Sequence, residues 1–178
     1  MRREVESLRD SRVSGATLVP GWPLAVFRVA FGLLYLDMAI QKAPWRGYGW
    51  LEGFIRQEIA HPTFGSVQAL LRDVVLPNFG LFGMLTFLME MALGLALLTG
   101  TLTRLAGLAG ALWQINIAIQ AFNVPHEWYW IWPLLVLPQF TFAACAAGRV
   151  FGVDGLLRRR VLTPGDAGRV AGLVRLAT

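Results

Sequence analysis

The sequence predicts an all-α integral membrane protein: a four-helix bundle with a short interfacial helix in its first outer loop. Three observations lead there. Of 178 residues, 56% are hydrophobic and 15% charged, whereas soluble domains average ~45–50% apolar and ~25% charged. The apolar residues gather into four stretches near the ~20 residues that a helix rising ~1.5 Å per residue needs to cross a bilayer. The basic residues then divide unequally between the two ends of those stretches.

Residues 1–22 read as a cytoplasmic N-terminal segment. They carry Arg2, Arg3, Glu4, Glu6, Arg9, Asp10 and Arg12 and no apolar run or small-residue cleavage site, so the first span is expected to stay as an anchor. That span covers residues 23–41 (PLAVFRVAFGLLYLDMAIQ). In the following loop, residues 50–59 place Leu51, Phe54, Ile55 and Ile59 near one helical face, the pattern of a helix lying in the interface. Pro62 and Pro77 bracket a second short helix over residues 66–75. The second span covers residues 80–99, the third 103–122 and the fourth 128–147, where Pro133 and Pro138 predict a kink. Soluble helices of this length usually carry a charged face, and the second and fourth stretches have none. Residues 23–148 thus form one four-span domain and residues 149–178 a basic cytoplasmic tail.

Charge sets the orientation. Arg2, Arg3, Arg9 and Arg12 precede the first span, Arg104 opens the third, and Arg149, Arg158, Arg159, Arg160, Arg169 and Arg175 follow the fourth. Those eleven share one side; Lys42, Arg46, Arg56 and Arg72 make four on the other. By the positive-inside rule both termini are cytoplasmic, in a multi-pass protein of the inner membrane. The same distribution turns the net charge of +5 away from nucleic acid and places the 158–160 run at anionic headgroups of the lipid bilayer. Trp22, Trp45, Trp50, Trp128, Trp130 and Trp132 fall near span ends, as an aromatic belt does. Cys145, the single cysteine, sits in an apolar stretch and is expected to be a small buried residue.

Ionisable groups inside spans are costly unless paired, which makes them candidates for function. Three occur: Arg28, Asp37 and Glu90. At 100° per residue Arg28, Gly32, Tyr35 and Lys42 share a face that Asp37 opposes, and Gly83, Thr86, Glu90 and Gly94 share another. Counting rise per residue puts Arg28 ~9 Å and Glu90 ~14 Å from the cytoplasmic boundary, which predicts an Arg28–Glu90 ion pair, either a lock between helices or part of a substrate site. Asp37 lies ~7 Å below the outer boundary. Asn116, Gln120 and Asn123 share a face of the third span, with His126 beyond it. Together with Tyr35, Gln139 and the cluster Trp128, Tyr129, Trp130 and Trp132 these outline an aromatic, partly polar pocket able to hold a flat ligand such as a quinone. Interhelical hydrogen bonds plus an interfacial belt would use the same residues. There is no CxxC, phosphate-binding glycine loop, HExxH or haem-type histidine pair, so no metal or haem is expected.

Three stretches resemble the DoxX/DoxD family, whose DoxD member is the small membrane subunit of thiosulfate:quinone oxidoreductase: FRVAFGLLYLDMAIQK (residues 27–42), MEMALGLALLTGTLTRLAGLAGAL (89–112) and AGRVFGVDGLLRR (147–159). The resemblance covers about residues 24–160, with Arg28, Lys42, Glu90, Arg104, Arg149 and Asp154 at matching positions. It implies a four-helix membrane subunit of respiratory or sulfur redox chemistry, working with other protein subunits and quinone. Two functions follow. One is a subunit of a quinone-linked, thiosulfate:quinone-type oxidoreductase, with Glu90, Arg28 and Asp37 as catalytic candidates and Tyr35, Trp132, Gln139 and Gln120 around the quinone. In it, Lys42, Arg46 and His126 attract the anionic substrate. The other is a non-catalytic accessory or scaffold subunit of a larger membrane complex.

Overall fold

The computed structural model describes residues 20–161 and residue 177. Arg2, Arg3, Arg9, Arg12, Arg169 and Arg175, and with them most of both expected cytoplasmic segments, lie outside the described residues. Within them the chain is all-helical, without strands. Helix α1 spans Trp22–Gln41, α2 Leu51–Ala60, α3 Gly65–Leu70, α4 Phe79–Thr99, α5 Thr103–Ala121, α6 Ile131–Ala144 and α7 Val153–Val161. A π-helical turn, Leu71–Val75, prolongs α3.

Two helices, α1 and α4, are long and apolar enough to cross a membrane. Only 33% and 28% of their hydrophobic windows are buried, and Leu81, Leu85, Leu88 and Leu95 of α4 face outward. A soluble core helix would bury such leucines; in hydrocarbon their exposure costs nothing. α5 has 19 residues and a lower hydrophobicity, because Gln114, Asn116 and Gln120 interrupt it. The fourth expected stretch is shorter than residues 128–147: α6 has 14 residues. It starts only after the turn at Trp128–Trp130 and stops before Ala146, whose φ is +47°. Pro138 lies inside it.

α1 packs along α4 and α5 along α6, with a smaller contact between α4 and α5. The α1–α4 contact is backbone against backbone. A Cβ added at Gly32 would stand 2.6 Å from Leu98 N, and one at Gly94 would stand 2.8 Å from the Leu36 side chain. Such small-residue contacts let helices approach where hydrophobic burial gives no driving force. The core behind them holds Phe31, Tyr35, Leu93, Leu97 and Phe142, with Phe27, Phe31 and Phe142 edge-to-face.

Each end has its own closure. At one end α2 and α3 fold over the helices, and the apolar face of α2 turns onto the protein, Ile55 packing with Leu71 and Val75. At the other, α4 ends in a Schellman turn: Gly100 adopts φ +69° and Thr101 N–H donates to Ala96 O at 2.9 Å. Asp154, fully buried, then accepts from Leu102 N at 2.7 Å and Thr103 N at 2.8 Å. It caps the start of α5 from a remote segment, as an N-cap carboxylate does. Cys145, expected to be buried, is exposed: it follows α6 on the outer side.

Candidate functional site

Beneath the α2 end lies a cavity of about 650 Å³, within the size range of small-molecule sites. Every long helix contributes. α1 and the residue after it supply Met38 and Lys42; α4 supplies Phe82, Thr86 and Glu90; α5 supplies Trp113, Gln114, Asn116, Ile117 and Gln120; α6 supplies Ile131, Trp132 and Leu135. The roof is Trp50, Leu51, Phe54, Ile55 and Glu58 of the α2 region with Leu70, Leu71 and Val75. Trp50 and Leu70, both in the lining, are about half exposed.

Its polar centre is an ion pair. Lys42 Nζ donates to Glu90 Oε1 at 2.6 Å, with both side chains almost inaccessible. The ammonium also stands 5.0 Å from the Trp50 ring, a cation–π contact. A buried pair of this kind is held in place by the severe cost of leaving either charge alone. Four further polar atoms on lining residues are buried without a hydrogen bond: Glu90 Oε2, Trp113 Nε1, Gln114 Oε1 and Trp132 Nε1. Of these, Trp113 Nε1 faces the Glu90 carboxylate closely enough to act as its donor, which leaves Gln114 Oε1 and Trp132 Nε1 as the two without a partner. Unpaired buried polar atoms are rare in folded proteins and call for an explanation. Gln114 Oε1 and Trp132 Nε1 both belong to residues lining the cavity, one an acceptor and the other a donor.

Below the cavity floor, the Tyr35 hydroxyl donates to Gln139 Oε1 at 3.0 Å and accepts from Gln114 Nε2 at 3.4 Å. Gln139 Nε2 donates to Leu135 O at 2.8 Å. Gln114 thus belongs both to the cavity wall and to this network. On the roof, Glu58 is 3% exposed. Burial first, and the nearby Glu127 carboxylate second, push its carboxyl up to about 7. Both glutamates line the cavity.

The expected Arg28–Glu90 pair does not form. Arg28 is fully buried but donates to Leu97 O at 2.9 Å and Phe151 O at 3.2 Å, at the far end from the cavity. The reason is register. The Gly32 and Gly94 contacts bring Arg28 level with Gly100 and carry Lys42 to Glu90, whereas equal span boundaries had put Arg28 nearest. Asp37 points outward, accepting from Gln41 Nε2 at 2.6 Å, and does not line the cavity. Of the residues expected around a flat ligand, Trp132 and Gln120 line it, Tyr35 and Gln139 lie beneath, and Trp128, Tyr129 and Trp130 are exposed outside the lining, because the chain there turns before α6 begins. Of the expected anion-binding set, Lys42 lines it, whereas Arg46 and His126 are exposed at the same end, outside the lining.

Sequence reasoning missed Trp113, Gln114, Glu58 and Glu127, whereas Thr86 already stood on the face it shares with Glu90. The first had a signal: residues 113, 116, 117 and 120 recur at helical spacing, and the amphipathic face read from Asn116 and Gln120 extends back to Trp113. Glu58 had none, because its burial depends on how α2 folds back. Among the described residues no group of His, Cys, Asp and Glu could hold a metal ion.

A family model described as the TQO small subunit DoxD matches residues 23–166. Neither a curated protein nor a solved structure matches the chain.

Proposed function

We propose, for a chain that belongs to the DoxD family of TQO small subunits, that it is the integral membrane subunit of a thiosulfate:quinone-type oxidoreductase whose cavity takes the quinone headgroup. On this reading α1, α4, α5 and α6 are four spans of a DoxX-like domain, residues 23–148. The termini lie on the cytoplasmic side of the inner membrane, as the eleven-to-four division of basic residues favours. The cavity then sits in the outer half of the bilayer, under α2.

The observation that carries the assignment is the Lys42–Glu90 pair with the unpartnered Gln114 Oε1 and Trp132 Nε1 beside it, on a wall that also carries Phe54, Phe82, Trp113 and Leu135. A quinone supplies a two-electron acceptor with two carbonyl oxygens on a flat ring. The indole N–H of Trp132 is a donor suited to one of those oxygens. Phe54, Ile55 and Leu135 cover apolar ring faces. Lys42 orients the Glu90 carboxylate through Oε1, leaving Oε2 to hold or release a proton at the cavity wall. Glu58 holds a proton on the roof, between the cavity and the exterior. Arg46 and His126 favour the approach of an anionic reductant or of the subunit that oxidises it. Arg28 and Asp37, remote from the cavity, are given no part in the chemistry.

The test is purification of the tagged full chain in mild detergent with its associated subunits, followed by quinone extraction and assay of thiosulfate-dependent reduction of a short-chain quinone. The reading predicts retained quinone and activity that the Glu90→Gln variant loses. A stoichiometric complex with neither would establish the scaffold reading instead.

A further inference from the structure

Beneath the cavity, side chains of α1, α5 and α6 join in a chain of hydrogen bonds whose direction is fixed link by link. A backbone carbonyl only accepts, so the Gln139 atom 2.8 Å from Leu135 O is Nε2, and Gln139 Oε1 is the end turned toward Tyr35. The Tyr35 hydroxyl then stands beside two oxygens that only accept, Gln139 Oε1 at 3.0 Å and Gly110 O at 3.3 Å. Its single proton is used there. The Gln114 amide, 3.4 Å from the same hydroxyl, must therefore present Nε2 to it. Gly110 keeps the junction tight, since a Cβ at that position would overlap Gln139 Oε1.

The consequence falls on the other end of Gln114. Turning the amide round would set a third acceptor against a proton already used, so Oε1 is held as the free end. Gln114 is 1% exposed and lines the cavity, and its Oε1 is buried without a partner. A buried acceptor left unmet is costly. The cavity therefore presents a fixed oxygen that calls for a donor.

We propose that Gln114 Oε1 accepts a hydrogen bond from a ligand hydroxyl, so that the cavity binds a hydroquinone more tightly than the corresponding quinone; the inference rests on the quinone reading above. A quinone offers two carbonyl oxygens, both acceptors, and can satisfy Trp132 Nε1 but not Gln114 Oε1. Uptake of two electrons, from the reductant oxidised by the complex, and of two protons, from water, turns both oxygens into hydroxyls. One hydroxyl then donates to Gln114 Oε1, and the oxygen of the other still accepts from Trp132. Tyr35 and Gln139 are positioning residues: they act by fixing which end of the Gln114 amide is left for the ligand. A tenfold preference for the reduced form raises the potential of the bound two-electron couple by ~30 mV, which favours electron transfer onto the quinone in this site.

The experiment is calorimetric titration, under argon and without thiosulfate, of the purified full chain with any bound subunits. The probes are duroquinone and, separately, duroquinol. Duroquinol should bind about tenfold more tightly, as one further buried hydrogen bond gives. Gln114→Leu, close in volume, should lower duroquinol affinity until the two forms bind about equally. Tyr35→Phe keeps Gln114 but frees its amide to turn, and should narrow the preference likewise; a purely structural Tyr35 would lower the folded yield and leave the ratio unchanged. If Gln114→Leu does not fold, the wild-type ratio and Tyr35→Phe decide. Equal or tighter binding of duroquinone by the wild type, or a preference that persists in either variant, would overturn the inference and leave the quinone site standing. Binding of neither form would overturn both.

Discussion

Lys42 Nζ and Glu90 Oε1 stand 2.6 Å apart in a setting where neither side chain meets solvent. The pair ties the end of α1 to the middle of α4 and forms the polar centre of the cavity. Its energetics separate structural from functional roles. Glu90→Gln leaves an ammonium buried without its counter-charge and should cost ~3–5 kcal/mol of stability. Lys42→Met combined with Glu90→Leu removes both charges and should recover most of that loss. Thermal unfolding in detergent measures both. If quinone reduction returns together with stability in the double variant, the pair is a lock and takes no part in the chemistry.

Glu58 makes stability depend on pH. Its carboxyl is raised to about 7 from an unfolded value near 4.5, so between those values the folded state holds a proton that the unfolded state has lost. Folding stability should therefore fall as pH rises from about 4.5 to about 7 and level off above, by up to ~3 kcal/mol. Glu58→Gln should flatten that slope and raise the melting temperature at pH 8. A wild-type melting temperature that rises across the same window would contradict the burial of this group.

Arg28 is bound to two backbone carbonyls beside Gly100, remote from the cavity. Arg28→Met should lower the folded yield, because buried charge-assisted bonds are worth ~1.5–3 kcal/mol each. Quinone affinity per folded molecule should not change. Titration of the surviving folded protein decides it, and a tenfold loss of affinity would restore Arg28 to the site.

Gly32 meets the α4 backbone, so Gly32→Ala must push α1 away from Leu98. The prediction is a loss of ~1–3 kcal/mol, the usual cost of overpacking. It should be larger than that of Gly53→Ala, where an added methyl meets open space. Unfolding of the two variants side by side gives the comparison.

These residues also mark how much could be read in advance. The face shared by Arg28, Gly32, Tyr35 and Lys42 follows from helical spacing alone, and all four are buried. Glu90 and Gly94 likewise fall on the inner face of α4. Which cation meets Glu90 was not legible, because it depends on how far two antiparallel helices slide, and each turn of slip moves a partner ~5.4 Å. The glycine contacts that fix the slip are visible only in three dimensions. Cys145 shows the same limit: an apolar sequence neighbourhood in a membrane protein marks an outward face as readily as an inward one, so hydropathy does not give burial.

The central claim, that the α2-end cavity is a quinone site, is tested most directly by titrating the purified full chain, with any bound subunits, with a short-chain quinone and following tryptophan fluorescence. The account predicts saturable quenching at one quinone per chain. Trp132→Phe should weaken it about tenfold, as loss of a buried hydrogen-bond donor does, and Trp45→Phe, outside the cavity, should leave it unchanged. Quenching that fails to saturate, or that Trp132→Phe and Trp113→Phe leave as in the wild type, would contradict it.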